Sequence, residues 1–206
     1  MEFGVQSGPW VVAVEGPNGA GKSLVANHLA EATGAAVVRY PQPFTDFRSK
    51  SRLDDVIPPL PRLAYYMAGI AHLSEEIASA GTPVVCDRYF ASPLAYLLAD
   101  RALEYEELEE VAAPILERIV IPEVTLLLSA DHDTLRRRLE SRGESRAGAS
   151  MRRTLSSAAF TSSWLAHLRR IIALRGILVE IDTAGLDPRA VCLRAESAIS
   201  DSTDAG

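Results

Sequence analysis

Cysteine is scarce. Cys86 and Cys192 are the only two, far apart in the chain and forming no C-x-x-C pair. That excludes a cysteine-based metal knuckle and a secreted disulfide framework. Positive charge is also short, with 21 Lys and Arg against 27 Asp and Glu and a formal net charge of −6. A general binder of nucleic-acid polymers needs a basic footprint, so that class is set aside, although local basic clusters remain able to hold a small anion. No stretch approaches the ~20 uninterrupted apolar residues of a membrane span. The opening "MEFGVQSGPW" lacks the basic start and long apolar core of a signal peptide. These absences predict a cytoplasmic protein with no membrane partner. His28, His72, His132 and His167 are scattered singly, without the clustering a metal site needs.

What is present is a regular alternation. "WVVAVE" (10–15), "AAVVRY" (35–40), "PVVCD" (83–87), "EVTLLLS" (123–129) and "ILVEID" (177–182) are short runs rich in Val, Ile and Leu. Apolar residues on consecutive positions suit parallel strands covered on both faces. Between them the pattern predicts helices over 22–33, 60–80, 92–117 (broken near Pro114), 131–141 and 151–174. A last helix follows Asp187-Pro188, an Asp cap with Pro at the first helical position. Strand followed by helix, repeated, gives an α/β fold of three layers: a five-stranded parallel sheet flanked by helices. The 206 residues fit a single domain, with frayed ends over 1–8 and 201–206.

Gly16-Pro17-Asn18-Gly19-Ala20-Gly21-Lys22-Ser23 is a complete G-x4-G-K-[ST] P-loop, placed after a strand and opening a helix. Its glycines let backbone N–H groups wrap phosphates, and the helix N-terminus adds its positive end. Lys22 is expected to reach the β- and γ-phosphates and the Ser23 hydroxyl to ligate Mg²⁺. The loop backbone from Gly16 through Asn18, Gly19, Ala20 and Gly21 to Leu24 completes the expected nucleotide cradle.

"CDRYFASPLAY" (86–96) begins at the end of the third strand, where ligands of parallel sheets gather. Asp87 is placed to act near Mg²⁺ or on an attacking hydroxyl, Arg88 to hold an anionic oxygen, and Tyr89 and Tyr96 to line a planar substrate. A local Asp cap paired with Arg88 is the plainer alternative. "LRRRLESRGESRAGASMRR" (135–153) is dense in arginine, and its small, flexible centre suits a closing loop over about 142–153. Guanidiniums near a transferring phosphoryl group stabilise its developing charge. Arg142 and Arg146 are the expected catalytic pair. A solvated face with pairs such as Arg136–Glu140 accounts for others.

These segments together resemble the thymidylate kinases. The P-loop "EGPNGAGKS" is similar to theirs. "DRYFASPLAY" fits their pattern D-R-Y-x-x-S-x-x-A-Y, and "IPEVTLLLSADHDTLRRRLESRGE" (121–144) is similar to their "PDLTLLLDV…R…RG". The resemblance implies a P-loop kinase fold with a mobile Arg-rich lid, ATP and Mg²⁺, and a homodimer. It also implies that Arg88 contacts the acceptor's phosphate, that Asp87 holds Mg²⁺, that Arg138 lies on the adenine side, and that Tyr66 stacks on the acceptor base.

Three positions depart from that pattern. The Asp usual inside the P-loop is Asn18. The arginine usual after the second strand is absent from "RYPQPF" (39–44), where Gln42 and Pro43 stand. The arginine of the helix before the third strand is replaced by Ile70. A monophosphate carries almost two charges, and an unpaired buried charge costs several kcal/mol. Arg39, Arg48 or Arg52 would have to substitute. Otherwise the acceptor is a nucleoside, a modified nucleotide or another small hydroxyl compound. A non-catalytic ATP-binding regulator is the third reading, opposed by the intact Lys22, Ser23, Asp87 and Arg88.

Overall fold

The computed structural model describes residues 9–40, 56–141 and 149–204. Five strands form one sheet: β1 (Val11–Glu15), β2 (Ala36–Arg39), β3 (Val84–Asp87), β4 (Val124–Ser129) and β5 (Ile177–Asp182). Their order is β2-β3-β1-β4-β5, and every pairing is parallel. β1, β3 and β4 are buried along nearly their whole length, whereas the edge strands β2 and β5 are partly open. This is the two-sided burial that the unbroken apolar runs predict.

The helices among the described residues are α1 (Lys22–Thr33), α2 (Pro59–Ser79), α3 (Ala91–Ala99), α4 (Tyr105–Leu116), α5 (His132–Glu140), α6 (Ala149–Ser156), α7 (Ala158–Ala173) and α8 (Pro188–Asp204). Side chains alternate across a strand, so β1 feeds two cores. Val11 and Ala13 join Leu63, Met67, Leu94, Leu108 and Leu168 under α2, α3, α4 and α7. Val12 and Val14 join Val25, Leu29, Leu135 and Ala195 under α1, α5 and α8. Each fully buried Val or Leu contributes about 1.5–3 kcal/mol. No helix among the described residues is long and apolar enough to cross a membrane.

Three element boundaries differ from the sequence expectation. The helix expected over 92–117 is two helices, and the break falls at 100–104 instead of near Pro114. Arg101 adopts a left-handed backbone, φ 51°. Glu104 and Glu107 form a capping box that starts α4 afresh, with the Glu104 N–H donating to Glu107 Oε2 at 2.9 Å. Pro114 sits on an exposed face in the last turn of α4, which continues through it to Leu116. The helix expected over 151–174 is divided at Ser157, whose extended backbone and side chain cap α7 through the Phe160 N–H at 3.1 Å. The last helix runs to Asp204, past the 201 at which the sequence expectation ends it.

One cap follows the sequence expectation and a second, at Asp131, joins it. Asp187 Oδ1 accepts from the Ala190 N–H at 2.8 Å ahead of α8. Asp131 accepts from the Thr134 N–H at 2.8 Å and its hydroxyl at 2.6 Å ahead of α5. The hydrogen bonds from Thr134 hold the Asp131 carboxyl below the usual carboxylate range.

Candidate active site

All five strands point their carboxyl ends to one side, and the connections leaving them build the site. The chain leaving β1 turns toward β2, and the chain leaving β4 turns toward β5, so a crevice opens between these neighbours. The P-loop wraps this crevice. Gly16 has φ 139°, and a Cβ there would stand 2.2 Å from the Leu128 carbonyl oxygen. Gly19 has φ 87°, and a Cβ there would stand 3.1 Å from the Leu135 carbonyl oxygen. The loop is therefore pressed against β4 and α5 so closely that only glycine fits. Gly16→Ala is expected to cost about 2–4 kcal/mol. Thermal unfolding measures this, and an unchanged melting temperature would contradict the close approach.

The cleft at the P-loop is lined by Asn18, Gly19, Gly21, Lys22, Ser23 and Leu24 of the loop and α1, by Arg39, Tyr40, Asp87 and Arg88 at the ends of β2 and β3, and by Leu139 and Met151. Lys22 is largely buried, and its Nζ donates to the Pro17 carbonyl at 2.7 Å, folding the ammonium back over the loop. Asp87 ends β3 and is 7% exposed. Its Oδ2 lies 3.6 Å from Arg39 Nε, while Arg39 Nη2 donates to Asn27 Oδ1 at 2.5 Å.

Arg88 joins the end of β3 to the P-loop. Its backbone is left-handed, φ 69°, which is uncommon for a residue with a Cβ. Its Nη1 donates to the Gly16 carbonyl at 3.0 Å and to Ser92 Oγ at 2.8 Å. Its Nη2 donates to Asn18 Oδ1 at 2.8 Å. The guanidinium also lies over the Trp164 ring, 5.4 Å from its centroid. Arg138 ties the far side of the P-loop to the turn after β5. It donates to the Gly19 carbonyl at 3.3 Å, to Thr183 Oγ1 at 2.9 Å and to the Thr183 carbonyl at 2.7 Å.

Other sequence-predicted residues lie elsewhere. Tyr66 is fully buried, edge-on to Tyr65. Tyr96 is 3% exposed and packs between Phe160 and Trp164 at 5.7 and 6.0 Å. Tyr89 is likewise interior. Ile70 and Met67 are core residues of α2. Trp164 packs against α3, its Nε1–H donating to the Ser92 carbonyl at 3.3 Å. Arg136 makes the exposed pair with Glu140 at 3.2 Å. Arg153 pairs with Asp100, which also lies 3.7 Å from the buried Arg62. Gln42, Pro43, Arg48, Arg52, Arg142 and Arg146 lie outside the described residues.

One site residue escapes sequence reasoning. Glu15 closes β1 with a carboxylate that is 1% exposed. It accepts from the Tyr89 N–H at 2.9 Å, from the Ser92 N–H at 3.3 Å and from the Ser92 hydroxyl. Burial pushes its carboxyl above the ordinary range, against the Ser92 and Tyr89 hydrogen bonds and the charges of Arg88 and Lys22, which pull it down. The available signal was a carboxylate ending an otherwise wholly apolar strand.

A phosphate cradle at one strand end, faced by an aspartate and an arginine from the next strand but one in sequence, defines a P-loop nucleotide kinase. The thymidylate kinase family model matches residues 14–160, and the chain belongs to that family. It is similar to the thymidylate kinase of Deinococcus radiodurans, with 33% identity over 146 residues covering 65% of this chain and 70% of the relative. The thymidylate kinase of Chromohalobacter salexigens is 29% identical over 147 residues, covering 64% and 69%. Among solved structures, thymidylate kinase from Candida albicans superposes with a TM-score of 0.71 at 17% identity, covering 97% of this chain and 94% of that one. Deoxyadenosine kinase from M. mycoides with bound dCTP gives 0.64 at 14% identity, covering 93% and 99%. At such identities the structural likeness bears on the fold alone.

Proposed function

We propose that the protein moves the γ-phosphate of ATP to the phosphate of a nucleoside monophosphate, dTMP or a close analogue. The observation that carries this reading is the pair of arginines, Arg88 and Arg39, lining the same P-loop cleft as Lys22. Lys22 and the loop N–H groups bind the donor phosphates. Arg88 and Arg39 bring positive charge to the acceptor phosphate and align its oxygen with the donor. Arg138, bridging Gly19 and Thr183, supports the purine end of the donor.

The Ser23 hydroxyl and the Asp87 carboxylate line the same cleft, and such oxygen donors suit Mg²⁺. These two residues would hold the ion, which supplies charge neutralisation of the transferring phosphoryl group when bound. Arg39, now 3.6 Å from Asp87, balances that carboxylate meanwhile.

The neutral Asn18 fits this reading. An Asp at that position would form an ion pair with Arg88 and cancel its charge. The amide oxygen holds the same guanidinium at 2.8 Å and leaves the cation for the acceptor. This offsets part of the arginine lost at Pro43 and Ile70.

A second reading, a kinase for a nucleoside or another small hydroxyl compound, is favoured by one observation: Ile70 lies in the core, so α2 offers no cation at that position. ADP release with MgATP and dTMP, other nucleoside monophosphates and the matching nucleosides separates the two. Turnover with monophosphates alone supports the first reading. Turnover with nucleosides alone replaces it by the second. ATP binding without turnover on any acceptor would favour a regulator.

A further inference from the structure

Glu15 is buried at a cost that the fold alone does not explain. The N-cap residue of α3, Phe90, offers no side-chain cap, so the first N–H groups of that helix need an acceptor from elsewhere. A serine or aspartate at the N-cap itself would supply one locally. Instead a carboxylate arrives from β1, 77 residues away in sequence from Ser92, and takes the Tyr89 N–H, the Ser92 N–H and the Ser92 hydroxyl together.

Ser92 is the joint of this arrangement. Its hydroxyl donates to Glu15 and accepts from Arg88 Nη1 at 2.8 Å. Its N–H donates to Glu15, and its carbonyl accepts from Trp164 Nε1 at 3.3 Å. Trp164 in turn lies beneath the Arg88 guanidinium. Arg88 carries the strained left-handed backbone between Asp87 and this joint. Its N–H is fixed to the Val14 carbonyl at 3.1 Å, one residue before Glu15. The end of β1 therefore grips the Arg88 turn on both sides. With three donors on its two oxygens and almost no exposed surface, Glu15 is not placed to take a proton from an acceptor.

We propose that Glu15 is a positioning residue for phosphoryl transfer: acting through Ser92, it holds the left-handed Arg88 turn and so sets where the guanidinium stands over the P-loop. This rests on the reading of Arg88 as a ligand of the acceptor phosphate. The same segment carries both Glu15 and the P-loop, so the donor cradle and the acceptor cation are registered to one strand end.

The test uses Glu15→Gln and Ser92→Ala, each in the wild-type chain and in Arg88→Lys, with kcat, both KM values and the melting temperature measured. Gln keeps shape but presents an NH₂ toward N–H donors. Ser92→Ala removes one hydroxyl and leaves the helix backbone intact, so it serves if the Gln variant does not fold. Each is expected to lower kcat/KM for the acceptor by about tenfold to hundredfold, the range for small misplacement of a reacting group. The ATP KM should stay within about twofold, because the donor cradle is untouched. In the Arg88→Lys chain either change should add less than about twofold, since no guanidinium remains to be positioned. Equal losses in both backgrounds, or a lower melting temperature with unchanged acceptor kinetics, would reduce Glu15 to a structural cap. If Arg88→Lys itself leaves acceptor kinetics unchanged, the Arg88 reading fails and this role fails with it.

Discussion

Lys22→Ala is expected to lower kcat by about 10²–10³-fold or more while the protein stays folded. Lys22 is the first residue of α1, placed there by the tight turn of the P-loop. Its ammonium now rests on the Pro17 carbonyl at 2.7 Å, within the loop it serves. That hydrogen bond contributes only about 1–2 kcal/mol to stability, because the exposed alternative is water. Its larger effect comes in the cleft, where charge spreads over the transferring phosphoryl oxygens and a fixed cation costs no reorganisation. The variant should therefore bind nucleotide weakly and turn over almost none. Steady-state ADP release and thermal unfolding, measured together, separate catalysis from folding. Near-normal turnover by a folded Lys22→Ala chain would remove the P-loop mechanism.

Arg88→Ala is expected to lower kcat/KM for a monophosphate acceptor by about 10²–10³-fold, with the ATP KM changed no more than about threefold. The guanidinium shares the cleft with Lys22 and is aimed by Asn18, Gly16 and Ser92. Removing it also strips the Trp164 face and leaves the Asn18 amide oxygen to find another donor. Some stability is lost for these reasons alone, so a second variant is useful. Arg88→Gly removes the same guanidinium but relaxes the φ of 69°. It should melt higher than Arg88→Ala, by a margin of about 1 kcal/mol, with the same kinetic defect. An ATP KM that suffers more than the acceptor KM would place Arg88 on the donor side.

The sheet was legible because β1, β3 and β4 are buried on both faces, and a two-sided burial leaves an unbroken apolar run in the sequence. The helix breaks were not, because they depend on local backbone choices. Arg101 turns left-handed without a glycine, and Glu104 caps where Ser or Asp would have signalled a start. The P-loop and Asp87-Arg88 were readable because their chemistry is written in contiguous residues. Glu15 was not, because its meaning lies in Ser92 and Tyr89, brought beside it only when β1 pairs with β3. Tyr66 and Tyr96 show a different limit. An aromatic residue on one face of a helix gives the same pattern whether that face meets the core or a ligand, and burial of both rings is what the structure adds. The arginines of α5 divide in the same way: Arg136 and Arg138 stand two positions apart, yet one makes a solvated pair and the other joins Gly19 to Thr183.

The central claim is that a phosphate held at Lys22 passes to a phosphate held at Arg88. Phosphorus NMR of the protein with MgATP and dTMP tests it most directly, because the product is identified by its own resonances. The expected result is a nucleoside diphosphate formed in equal amount with ADP and absent when Lys22 is replaced by alanine. Release of inorganic phosphate alone, or formation of a monophosphate from thymidine with dTMP left untouched, would contradict it.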